Sequence, residues 1–135
     1  SADLFHVVDD PSGTPINKKI SAENVFNNIP SWLGLAQASQ AITADASSQV
    51  ANVTTAVTEI NATSATGAIS LADGAEGQIK TFINVSTSGT NNVVITPTNL
   101  RGGTTITLNA EGETVTCLFK NAKWNVIAGN GYAIA

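Results

Sequence analysis

Along the second half of the chain, apolar and polar positions alternate in short runs, and turn residues separate one run from the next. Ala68-Ile69-Ser70-Leu71 leads into the turn Ala72-Asp73-Gly74, and Gln78 to Val85 leads into Thr87-Ser88-Gly89-Thr90-Asn91-Asn92. Val93-Val94-Ile95-Thr96 stops at Pro97, and Arg101-Gly102-Gly103 turns into Thr104 to Leu108. A period of two places Thr104, Ile106 and Leu108 on one strand face. It does the same for Val115, Cys117 and Phe119 in the run Glu113 to Lys120, so Cys117 is expected in the core. Asn121-Ala122 has the length of a tight hairpin loop into Lys123-Trp124-Asn125-Val126-Ile127. Strands this short, with a turn about every 8 to 12 residues, predict a sandwich or barrel. The expectation is therefore a mainly β chain whose residues 65–135 form an antiparallel sandwich or barrel-like domain.

The first 30 residues follow a different pattern. Leu4-Phe5-His6-Val7-Val8 reads as a strand, and Asp9-Asp10-Pro11-Ser12-Gly13 carries the Pro and Gly of a chain reversal. Thr14 to Ile20 can pair back onto it. Ser21 then suits a helix N-cap, with Glu23 in the first turn, where the helix dipole favours a carboxylate. Ile29-Pro30 ends that helix, because Pro disfavours helical geometry in the residue before it. Residues 1–30 thus predict an arm of strand, turn, strand and short helix. Residues 31–48 are mostly small and read as a linker that runs into a strand at about 40–44. The segment 49–61 reads two ways. Val50, Val53, Val57 and Ile60 carry coiled-coil spacing, whereas the valines and Thr54, Thr55 and Thr58 favour strand. The seam is shorter than two heptads, so strand is preferred. Residues 31–64 are assigned to linker and first strands.

Composition narrows the function. The chain has 135 residues, of which 12% are charged and 5% aromatic, with no Met and a formal net charge of −4. Such low charge with abundant β-branched residues argues against disorder. Lys18, Lys19, Lys80, Arg101, Lys120 and Lys123 form no basic stripe, which argues against nucleic acid as a partner. No apolar run approaches the roughly 18 residues of a membrane helix, and the N-terminus lacks the regions of a signal peptide, so no membrane role is expected. A Met-free chain starting at Ser1 suits a small self-standing product whose initiator was removed, and a fragment cut from a larger protein fits as well. The sequons at Asn52, Asn61 and Asn84 reflect the abundance of Asn and Thr rather than glycosylation.

No constellation of catalytic type emerges. His6 lies near Asp9 and Asp10, but the chain has no second His, and Asp before Pro11 is ordinary turn chemistry. Cys117 with His6 would need a third group and an activated thiolate, and its mid-strand position points to a buried thiol. Asp73, Glu76, Glu111 and Glu113 could supply paired carboxylates, yet all four flank turns, where acids are solvated by default. Gly102-Gly103 and Gly129-Asn130-Gly131 lack the strand-to-helix context of a phosphate loop. A Thr- and Asn-rich β surface bearing Trp124 could bind a glycan, although Trp124 fits core or subunit-interface packing equally well. The chain is read as having no catalytic residues, no metal site and no cofactor.

Two stretches carry a resemblance. Asp3 to Pro15, continuing through Lys18-Lys19-Ile20 and Asn24-Val25-Phe26, resembles the N-terminal attachment segment of small virion proteins of tailed phages. Leu71 to Lys80, Val94-Ile95-Thr96-Pro97, Arg101-Gly102-Gly103-Thr104 and Lys123-Trp124 with Ile127 resemble the β-domains of phage head-decoration and fibre proteins. The resemblance covers about two-thirds of the chain and leaves residues 31–64 unmatched. It implies a homotrimeric, non-enzymatic structural protein on the outer surface of the phage head, bound to the major capsid protein as a decoration or cement protein. A tail- or head-fibre tip binding a host-surface glycan is the alternative. The small core such a domain can build agrees with oligomerisation. Leu4, Phe5, Val7, Val8, Val25, Phe26 and Ile29 are the expected capsid-docking residues, because they gather large apolar side chains at a terminus that would otherwise fray.

Overall fold

The computed structural model describes residues 4–9, 13, 16–21 and 37–135. At the N-terminus, β1 (Leu4–Asp9) and β2 (Ile16–Ser21) form an antiparallel hairpin, with Phe5 opposite Ile20 and Val7 opposite Lys18. The hairpin is a two-stranded sheet of its own. The predicted helix after Ser21, with Val25, Phe26 and Ile29, lies outside the described residues.

Ten further strands build the body: β3 (Ser39–Ala44), β4 (Gln49–Ala51), β5 (Val57–Ala62), β6 (Thr66–Leu71), β7 (Ile79–Asn84), β8 (Asn92–Pro97), β9 (Ile106–Leu108), β10 (Thr114–Lys120), β11 (Lys123–Asn130) and β12 (Ala133–Ile134). They form two five-stranded sheets in the orders β11-β10-β7-β5-β3 and β12-β9-β8-β6-β4. Described residues contain no helix, so 49–61 resolves into β4 and β5 rather than a coiled-coil seam.

The expectation of an antiparallel domain is corrected for the first six strands of the body. β3, β5 and β7 run parallel in one sheet, and β4, β6 and β8 run parallel in the other. Each turn carries the chain across to the facing sheet instead of folding it back beside the strand just left. The next strand to return then runs parallel to its predecessor, and the chain winds as three stacked coils. Within the body, antiparallel pairing involves only β9 to β12, with one another and with β7 and β8. Strands β9 to β12 close one end of the stack.

Alternation explains why the two sheets face each other. β5, β7 and β10 each bury every second residue, and so do β6 and β8. Inward positions from both sheets, among them Ile60, Phe82, Ile69, Leu71, Ile95 and Val115, merge into one apolar core. Full burial of a side chain of this size contributes about 1.5–3 kcal/mol. The corners stack through backbone bonds: Thr63 N donates to Ala44 O (2.8 Å), Val85 N to Ile60 O (2.9 Å) and Thr98 N to Leu71 O (2.8 Å). The strand expected at about 40–44 is β3, which is integral to the first sheet. Its small side chains suit a place where the sheets approach closely, and Ala44 and Ala62 crowd the inward side of Gly67.

At the β10–β11 hairpin, Asn121 and Ala122 both have positive φ, 55° and 56°. That is the two-residue primed turn whose twist matches the flanking strands. The Asn125 side chain secures it, donating to the carbonyls of Leu118, Lys120 and Lys123.

Candidate interaction surface

The residue types that drew attention as chemistry are placed structurally. Cys117 is fully buried between Val115 and Phe119, and burial pushes its thiol up to about 12. Glu76 accepts from Ala122 N (3.1 Å) and pairs with Lys120 (3.0 Å), contacts that lower its pKa. Glu113 caps its own turn, accepting from the backbone N–H groups of Asn109 and Ala110. Asp73 accepts from Asn99 (2.7 Å). Among the described residues no group of three or more His, Cys, Asp or Glu is arranged to hold a metal ion.

Trp124 is fully buried, edge-on to Phe119 at 5.2 Å between ring centroids, and its indole N–H donates to Ala72 O (3.0 Å). It has no face left for stacking on a sugar. Lys80, which an unaided reading would place outside, points into the body. Its Nζ donates to Thr55 O (2.8 Å) and Thr55 Oγ1 (3.1 Å), and lies 5.6 Å from the centre of the Phe82 ring. Burial pulls the amine down to about 8. Together with the Gln78 amide, which donates to Val53 O, it ties the β4–β5 connection to β7.

What the body offers to a partner is its pair of outer sheet faces, and they differ. On the second sheet the outward rows are short side chains: Val50 beside Ser70 beside Thr96, and Ala68 beside Val94 beside Thr107. The first sheet carries larger branched aliphatics toward its middle. Ile79 sits beside Leu118, Val57 beside Thr81, and Ile83 beside Glu59. In the middle, the hydroxyls of Thr81 and Thr116 bond to each other at 3.0 Å, so they present mainly methyl groups. Glu59 is the charge within this field, and Lys120 and Lys123 lie at its hairpin end. Ile79 is 43% exposed and Ile127, at the β10–β11 register shift, 53%. Sequence reading missed this face, although its signal was present: Ile79 and Ile83 have the opposite parity to the buried Phe82, so β7 carries large apolar side chains on both faces.

Of the expected docking residues, Leu4, Phe5, Val7 and Val8 all fall in β1. No protein-family model matches this chain, and no curated protein matches it either.

Proposed function

We propose that the protein is a non-enzymatic structural component of a tailed-phage particle: a homotrimeric decoration protein on the outer surface of the head, held to the major capsid protein by its N-terminal arm. The observation that carries this reading is the separate hairpin. β1 and β2 pair with each other and with neither sheet of the body, and an isolated two-stranded hairpin is marginal in water. Such an element calls for a partner surface. Its residues lie in the segment that resembles phage attachment segments, which supports the capsid as that surface. The aliphatic outer face around Ile79 and Leu118 supports association between subunits, since large exposed apolar patches mark interaction sites. The burial of Trp124 counts against a glycan-binding tip.

Removal of residues 1–30 tests the proposal. The truncated chain folds and trimerises but does not rebind heads stripped of the full-length protein. Rebinding with undiminished affinity overturns the role of the arm. Strong, selective binding of the full chain on a glycan array overturns the decoration role, and a monomer by light scattering at micromolar concentration overturns the trimer.

A further inference from the structure

We propose that Asn130–Gly131 is a self-modifying site, at which the side-chain amide is converted to a carboxylate by attack of the following backbone nitrogen. Asn130 is the last residue of β11 and pairs with Thr114 at the end of the ladder. It is exposed, and its side chain makes no hydrogen bond to any described residue. Several other asparagines of the body are held by their side chains. Asn84 is buried and donates to Leu108 O, Asn52 accepts from Thr54 and Thr55, and Asn125 bonds three carbonyls. Asn61, Asn109 and Asn121 are exposed as well, but each is followed by an alanine, whose Cβ hinders the attack.

Asn130 differs in being followed by glycine, whose nitrogen has no neighbouring Cβ to hinder its approach to the side-chain carbonyl. Glycines on both sides, at 129 and 131, allow the backbone rotation that the attack requires. The fold itself demands the glycine. Gly131 has φ of 75°, and a Cβ there would overlap the side chain of Glu113. The residue that makes the pair labile is therefore one whose left-handed backbone conformation the structure needs.

The step balances as follows. Solvent hydroxide takes the Gly131 N–H proton, the bond from that nitrogen to Asn130 Cγ forms, and the Cγ–Nδ2 bond breaks. Nδ2 leaves as ammonia after taking a proton from water. A second water then opens the five-membered imide at one of its two carbonyls, giving aspartate or isoaspartate. The product places a new carboxylate opposite Thr114, one residue from Glu113 in the ladder.

The test is to incubate the purified full chain, folded, at neutral and at mildly alkaline pH, then to map its peptides by mass and label isoaspartate enzymatically. Asn130 is expected to gain one mass unit ahead of every other Asn, faster at the higher pH, with isoaspartate among the products. Asn130→Gln abolishes the conversion and leaves the melting midpoint unchanged. Gly131→Ala slows it, and if that variant does not fold, the Asn130→Gln result stands by itself. An Asn130 that stays intact while Asn61 or another Asn converts, or a rate insensitive to pH, overturns the proposal. The readout is chemical and made on the isolated chain, so its failure is distinct from failure to bind a capsid.

Discussion

Gly67→Ala probes a place where the two sheets approach closely. Gly67 is an inward position of β6. A Cβ built on it would lie 2.9 Å from the Cβ of Ala44 and 2.9 Å from that of Ala62. Carbon atoms prefer about 3.5–4.0 Å, so each contact falls short by more than half an ångström. Neither neighbour can rotate away, because both are methyl groups fixed to the backbone. Ala44 and Ala62 are also register partners in β3 and β5, and they must move together. Relief therefore requires the sheets to part locally. Overpacking of this kind costs about 1–3 kcal/mol, and removing the conformational freedom of glycine from the unfolded chain returns about 0.4–1 kcal/mol. The expected net loss is about 0.5–2 kcal/mol, or a fall in melting midpoint of roughly 2–10 °C for a domain of this size. Urea unfolding with an unchanged m-value measures the first and calorimetry the second. Adding Ala62→Gly removes one of the two overlaps, and the pair should show a coupling of at least about 0.5 kcal/mol. A Gly67→Ala protein as stable as the parent, or a double variant whose effects simply add, would refute the close approach.

Three other predictions follow from single residues. Ala122 holds φ of 56° in the β10–β11 turn, a conformation costing a residue with a Cβ about 1–2 kcal/mol; Ala122→Gly should therefore raise stability in urea by up to about 1 kcal/mol, and a loss would contradict the turn geometry. Burial lowers the Lys80 pKa from 10.5 to about 8, so across that interval the unfolded chain binds more protons than the folded one. Stability attributable to Lys80 rises with pH through this window and falls to its floor below it; Lys80→Met should flatten that rise in pH-dependent melts, and an unaltered profile would show that the ammonium is well solvated. Cys117, buried with its thiol pushed up to about 12, should resist thiol reagents in the folded protein and react at the rate of unfolding when urea is added; rapid labelling of native protein would refute its burial.

Strand existence and the facing of most side chains were legible from the chain alone, because a two-residue period is a local property. Val115, Cys117 and Phe119 are buried together as that period requires, and the hairpin at Asn121-Ala122 follows from its length and flanking strands. Sheet membership was not legible. The turns after Ala44, Ala62 and Leu71 contain the same Asp, Ser and Gly that close hairpins, and local turn chemistry does not record whether the chain returns beside itself or crosses to a facing sheet. Only the packing of two apolar faces against each other selects the crossing, and with it parallel β3, β5 and β7. The same holds for single side chains. Lys80 points inward because the carbonyl and hydroxyl of Thr55, 25 positions earlier in the chain, receive its ammonium. Trp124 lies inside because Phe119 and Ala72 O are there to meet it. Composition could say that the chain would fold into strands with a small core. Which faces are covered, and which are left for a partner, depends on contacts between residues far apart in the chain, and tertiary structure alone decides them.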